Sequence, residues 1–64
     1  MHRILTMRYA DLSPEDQALA RELTRQAIAE TAGETIQISR SDLEFEAKNL
    51  SWNKYGDGTI ELAY

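Results

Sequence analysis

The chain contains no cysteine, and this absence removes two common ways of stabilising a small protein. Neither a disulfide framework nor a thiolate zinc site can supplement the hydrophobic core. A chain of 64 residues buries only about 60% of the surface that it exposes when unfolded, so we expect marginal stability. Close packing of a few large side chains, or association with a second chain, has to compensate. The length predicts a single domain over residues 1–64.

Groups that could perform chemistry are equally sparse. The single histidine, His2, has no neighbouring ligands in the sequence, so no metal site is predicted. No serine has a candidate base nearby, which argues against a serine nucleophile. The Gly-Asp-Gly segment at 56–58 lacks the ligand spacing of a calcium loop and the glycine spacing of a phosphate-binding loop. We therefore predict no catalytic residue, no cofactor and no metal, and expect that the protein is not an enzyme.

Basic residues and long apolar runs are also scarce. Seven Lys and Arg against eleven Asp and Glu give a net charge of −4. Binding to nucleic acid depends on Lys and Arg that neutralise phosphates, so no direct nucleic-acid contact is expected. The apolar runs are too short to span a bilayer, and no signal-peptide pattern opens the sequence. These patterns predict no membrane association and a cytoplasmic location.

One helix is clearly indicated over residues 14–32. Ser13 is in the N-cap position, Pro14 occupies the first helical position, and Asp16 at the third position completes a weak capping box. No helix breaker follows until Gly33, which supplies a left-handed terminator. The predicted buried face is rich in small residues and consists of Leu19, Ala20, Leu23, Thr24, Ala27 and Thr31, with Ile28 at its edge. Such a face predicts a helix that lies close against a sheet.

The rest of the chain alternates in a way that is typical of strands. Residues 3–9 are predicted as a first strand with Leu5, Met7 and Tyr9 pointing inward. Residues 35–40 and 43–47 are predicted to pair across a two-residue turn at 41–42, because this register places apolar residues opposite apolar residues.

The phase of the alternation shifts after residue 47. Lys48 and Asn49 are interpreted either as another tight turn or as a β-bulge, and the pattern does not decide between them. A final hairpin with a three-residue loop at 56–58 would set Trp52 opposite Leu62, with Gly58 at the left-handed position. The predicted fold is α+β and two-layered. One amphipathic helix packs on one face of a mainly antiparallel sheet of four to five strands, in β-α-β-β-β order.

Acidic residues on the predicted open face of this sheet are the candidate partner-binding residues. They are Glu44 and Glu46 on the third strand, Glu61 on the last strand and Asp42 at the adjoining turn, with Tyr64 at a strand edge. One interpretation is that these charges keep an exposed sheet soluble. The other is that they form an acidic recognition face for a basic partner.

The function that these patterns favour is a small acidic, non-catalytic module that binds another protein. In its sharper form it is an inhibitor, of the kind that phages often encode, that competes with nucleic acid for a basic surface. The alternatives are a structural homodimer, in which the last strand pairs with its own copy, and an enzyme subunit whose site another chain completes.

Overall fold

The computed structural model describes residues 3–33 and 37–63. In chain order these form strand β1 (Ile4–Met7), a short 3-10 turn (Tyr9–Asp11), helix α1 (Pro14–Ala32), helix α2 (Arg40–Lys48), strand β2 (Ser51–Tyr55) and strand β3 (Ile60–Ala63). The strands make one antiparallel sheet in the order β1-β2-β3. The α+β class is confirmed. The predicted β-α-β-β-β order with four to five strands is wrong, because the described part of the chain has the order β-α-α-β-β.

Helix α1 has the bounds and caps that its sequence predicts. The Ser13 hydroxyl accepts a hydrogen bond of 3.2 Å from the backbone N–H of Asp16. At the other end Gly33 has a φ of 75°, and its N–H donates to the carbonyl of Ala29. The predicted inner face is right at its centre, where Ala20 and Thr24 are fully buried, and wrong at Leu19 and Thr31, which are exposed.

Helix α2 replaces the strand that was predicted over residues 43–47. The Ser39 hydroxyl accepts a 3.2 Å hydrogen bond from the backbone N–H of Asp42, with the same spacing as the cap of α1. Residues 41–42 are therefore the first turn of a helix and not a hairpin turn. Ala47 is buried while Phe45 is 65% exposed, so the alternating apolar positions do not share one face.

Two further strand predictions fail around α2. Of the strand predicted over 35–40, residues 35 and 36 lie outside the described residues, residues 37–39 have no regular structure, and Arg40 begins α2. Lys48 and Asn49 form neither a hairpin turn nor a bulge. They are the end of α2, where Asn49 has a φ of −90° and its N–H donates to the carbonyls of Glu46 and Ala47.

The first strand is shorter than predicted. It covers Ile4–Met7, and the chain then turns into the 3-10 segment. Met7 packs against the core, and Tyr9 is buried from within that segment rather than from a strand. Leu5 lies on the face of the sheet that carries the helices, as predicted, but its side chain is 44% exposed and therefore not part of the core.

The final hairpin is confirmed. Trp52 lies opposite Leu62, and Tyr55 donates its N–H to the carbonyl of Thr59 across the three-residue loop. Gly58 has a φ of 92°, the left-handed conformation that this loop requires.

The core lies between the two helices and one face of the sheet. Its buried members are Tyr9, Leu12, Ala20, Ala47, Trp52 and Ile60. Trp52 is fully buried at the centre, and its indole N–H donates to the carbonyl of Ala47 at 2.9 Å. Neither α1 nor α2 combines the length and the apolar composition that crossing a membrane requires.

Candidate functional site

An open groove of about 300 Å³ separates the C-terminal half of α1 from the end of α2. Its apolar lining includes Ala27, Ile28 and Ala32 of α1 and Leu50, which follows α2. The groove exists because alanine side chains are too short to fill the space between the helices. Burial of an aliphatic side chain from a ligand would therefore be favourable here.

Two threonines also line the groove, and their hydroxyls are already used. Thr24 donates to the carbonyl of Ala20 at 2.8 Å, and Thr31 donates to the carbonyl of Ala27 at 3.0 Å. A threonine hydroxyl that bonds back to its own helix has no second hydrogen to donate. The threonines therefore add little polar character, and Glu46 is the charged residue of the lining.

The electrostatic environment of the groove is negative. Glu46 is in the last turn of α2 together with Lys48, which does not line the groove, and the groove reaches the last turn of α1, which contains no basic residue. The C-terminal end of a helix carries a partial negative charge, so the carboxylate and both helix ends act in the same direction. Asp42 lies one turn before Glu46 on the same side of α2. Neither carboxylate forms an ion pair with any described residue.

The structure separates the other predicted partner-binding residues from this groove. Glu44 forms an ion pair with Arg40, at 3.3 Å between Oε1 and Nε. Glu61 is on the face of the sheet that points away from the helices, where it accepts a hydrogen bond from the Tyr55 hydroxyl. Tyr64 lies outside the described residues. The four carboxylates thus do not share one strand face, and of them Glu46 lines the groove.

Much of the positive charge is neutralised within the chain. The ion pairs join Arg8 to Asp11, Arg25 to Glu22, Arg40 to Glu44 and Lys54 to Asp16. A hydrogen bond from Lys54 lowers the pKa of the Asp16 carboxyl, and one from Arg25 lowers the pKa of Glu22. Arg21 donates to the Tyr9 hydroxyl at 2.8 Å. Glu46 and Asp42 are in none of these ion pairs, so a basic ligand at the groove could neutralise them.

Glu46 could be named from the sequence, and Ala27 and Thr31 could be placed on an inner face, but the groove itself was not predicted. The groove depends on α2, and α2 was predicted as a strand. The signal that could have revealed α2 is the Ser39-to-Asp42 spacing, which repeats the cap of α1.

Within residues 3–33 and 37–63, no group of three or more His, Asp or Glu side chains is arranged to hold a metal ion. Comparison with protein-family models, with curated proteins and with solved structures finds no match to this chain.

Proposed function

We propose that the protein is a small non-catalytic interaction module that binds a basic segment of another protein in the groove between α1 and α2. The observation that carries this proposal is an apolar groove whose charged lining residue, Glu46, is at the negative ends of two helices. The complementary ligand has an aliphatic side chain for the groove and a Lys or Arg beside it for Glu46 and Asp42.

The two parts of such a ligand contribute differently. Burying one aliphatic side chain is worth about 1.5–3 kcal/mol. An ion pair at an exposed rim is worth only about 0.2–1 kcal/mol, and salt screens it. The apolar groove therefore supplies most of the affinity. The carboxylates select a basic partner over an acidic one and accelerate the encounter.

Proteins that bind nucleic acid present the kind of basic surface that fits this description. An acidic module that occupies such a surface competes with the phosphates for the same Lys and Arg side chains. The inhibitor hypothesis is the sharper form of the proposal. It predicts that the module and a nucleic acid exclude each other from one partner.

Two synthetic peptides of equal length test the groove directly, one with alternating Leu and Lys and the other with alternating Leu and Glu. Backbone amide NMR shifts are followed as each peptide is added to the labelled protein. We expect the Leu/Lys peptide to shift the signals of Ile28, Ala32 and Leu50, and the Leu/Glu peptide to leave them in place.

Variants separate the contribution of the groove from that of overall charge. Glu46→Gln should weaken binding of the Leu/Lys peptide about threefold at low salt, since it removes one rim ion pair. Glu61→Gln, which removes the same charge from the other face of the sheet, should leave binding unchanged. Equal effects of the two variants, or shifts confined to residues outside the groove, would contradict the proposal.

A further inference from the structure

Among the residues that the structure describes, strand β1 is at an edge of the sheet, and the register shows which of its backbone groups have no partner strand there. Tyr55 donates to the carbonyl of Thr59, so the backbone of Tyr55 points toward β3. Backbone groups alternate along a strand, so it is Lys54 and its register partner Leu5 that bond between β2 and β1. The N–H and C=O groups of Ile4 and Thr6 consequently point away from the sheet.

The side chains of β1 include none of the features that discourage an edge strand from pairing with another strand. Ile4 is 58% exposed on the face away from the helices, and Leu5 is 44% exposed on the face that carries them. The strand Ile4–Met7 has no charged residue and no proline. Natural sheets usually guard an edge with a charge, a proline or a bulge. The opposite edge, β3, does carry a charge, at Glu61.

We propose that β1 is a self-association interface, at which a second copy of this chain adds its own β1 antiparallel to form a continuous six-stranded sheet. In this arrangement Leu5 lies on the two-fold axis, opposite Leu5 of the second copy. Ile4 and Thr6 exchange backbone hydrogen bonds with Thr6 and Ile4 of that copy. The interface uses β1 alone, so it is independent of the groove between the helices.

The register follows from parity and from where β1 ends. A hydrogen-bonded ladder between the two copies can form only if the residues whose backbone groups point away from the sheet, Ile4 and Thr6, lie opposite one another. This condition places residue 4, 5 or 6 on the two-fold axis. Centring on Thr6 would pair Ile4 with Arg8, where the chain already turns into the 3-10 segment. Centring on Ile4 would set Met7 opposite residue 1 of the second copy, which is outside the described residues. Centring on Leu5, which is 44% exposed, pairs Ile4 and Thr6 with each other, so these three residues all meet partners within β1.

A second copy suits this strand better than an acidic or basic partner segment. In a two-fold interface both subunits contribute the same patch of surface, so the uncharged strand of one copy meets the uncharged strand of the other. The register sets Arg3 opposite Met7 of the other copy, and Arg8 already pairs with Asp11, so no like charges are opposed. A chain this short also gains most from an added interface. The small area predicts a weak dimer, with a dissociation constant on the order of micromolar or higher.

Sedimentation equilibrium over a wide range of concentration tests the association. The native chain should change from monomer to dimer, and Leu5→Lys should raise the dissociation constant at least about tenfold, the equivalent of 1.4 kcal/mol. Leu19→Lys is the matched control, because Leu19 is 42% exposed but belongs to α1. A native chain that is monomeric throughout, or an equal effect of both variants, would overturn the proposal.

Disulfide formation tests the register, because the native chain has no cysteine to interfere. Opposed residues that do not exchange backbone hydrogen bonds have Cα atoms about 4.5 Å apart, within the range that a disulfide spans. Oxidised Leu5→Cys should therefore form a covalent dimer much faster than Leu19→Cys. Equal rates for these two variants would overturn the interface. Faster cross-linking of Thr6→Cys than of Leu5→Cys would overturn the register.

Discussion

Helices α1 and α2 begin with the same device and end with different ones. Each starts at a serine whose hydroxyl accepts a 3.2 Å hydrogen bond from the backbone N–H of the Asp three residues later. Helix α1 then runs for 19 residues to Gly33 in the left-handed conformation. Helix α2 runs for 9 residues to Asn49, whose φ of −90° is not left-handed.

The contrast shows that one helix is specified locally and the other by its tertiary contacts. Isolated helices shorter than about 12–15 residues are marginal in water, so α2 does not form on the strength of its own sequence. The end of α2 is fixed by the fully buried Trp52, which donates its indole N–H to the carbonyl of Ala47 at 2.9 Å. A residue of β2 therefore completes a helix that precedes it in the chain.

The largest expected effect comes from removing this contact. Trp52→Ala should cost about 3–5 kcal/mol of unfolding free energy, since it leaves a large cavity. Trp52→Phe keeps much of the apolar volume and removes the indole donor, while the carbonyl of Ala47 keeps the backbone N–H of Leu50 as a donor at 3.3 Å, so the loss of this one hydrogen bond should cost about 0.5–1.5 kcal/mol. Urea unfolding measures both values.

Hydrogen exchange on Trp52→Phe then tests which helix depends on the contact. Amide protection at residues 43–47 of α2 should fall more than protection at residues 20–27 of α1. A uniform loss in both helices would contradict the division into a locally specified and a tertiary helix.

Substitutions at the C-terminal ends of helices α1 and α2 should give the next largest difference in stability. Gly33→Ala should destabilise the protein by about 1–2 kcal/mol, because a side chain is strained at a φ of 75°. An added Cβ would meet no atom within 4 Å, so the cost is one of backbone conformation alone. Asn49→Ala should change stability by less than about 0.5 kcal/mol, since its φ suits any residue.

Urea unfolding of both variants checks the values, and Gly33→Asn provides the control. Asn tolerates the left-handed region, so it should recover part of the loss caused by alanine. Equal costs for Gly33→Ala and Asn49→Ala would show that the two helix ends do not differ in the way proposed.

The N-caps should give a smaller effect that separates local from tertiary structure. Ser13→Ala and Ser39→Ala should each cost about 1 kcal/mol in the folded protein, because each leaves one backbone N–H uncapped. In isolated peptides the outcomes should differ. Circular dichroism of a peptide of residues 13–33 should show partial helix that decreases with Ser13→Ala. A peptide of residues 39–49 should show none with or without Ser39. Clear helix in the shorter peptide would contradict a tertiary origin for α2.

The parts of the fold that could be predicted from the sequence are those fixed by local chemistry. Ser13, Pro14 and Gly33 delimit α1, and the glycine at position 58 fixes the final hairpin. Helix α2 could not be distinguished in this way, because its short apolar pattern fits a strand as well as a helix. The cap at Ser39 was the one local signal, and the alternation of the following residues outweighed it.

The candidate site was less predictable than the fold. Glu46 could be named from its charge, but the groove is a space between two elements, and one of them had been assigned to the sheet. The exposed sheet edge at Ile4 and Leu5 could not be predicted from the sequence, for a related reason. A short apolar alternation is expected to face a core, and only the order of the strands shows that β1 is at the edge.

The smallest expected effect concerns a contact that ties α1 to the sheet. The Lys54 ammonium group lies 2.5 Å from a carboxylate oxygen of Asp16, and this hydrogen bond lowers the pKa of Asp16. The unfolded chain, with an ordinary pKa of about 3.9, therefore takes up this proton before the folded protein does as the pH falls. The contribution of the contact is fully present above about pH 4 and is lost as the pH falls through the lowered pKa. Asp16→Asn should consequently flatten the acid limb of the stability profile.

Lys54→Met shows whether the contact with Lys54 or the helix terminus is the main cause of the lowered pKa of Asp16. Asp16 is also in the first turn of α1, where the helix end and the Ser13 hydroxyl favour its charged form. If Lys54 is the main cause, Lys54→Met should flatten the acid limb nearly as much as Asp16→Asn does, as measured by urea unfolding at a series of pH values. An acid limb that keeps its slope in Lys54→Met would assign the effect to the helix terminus. Helix α1 would then depend on local chemistry alone. The contrast with α2 would be sharper, because the Lys54–Asp16 contact would no longer count as a tertiary contact that stabilises α1.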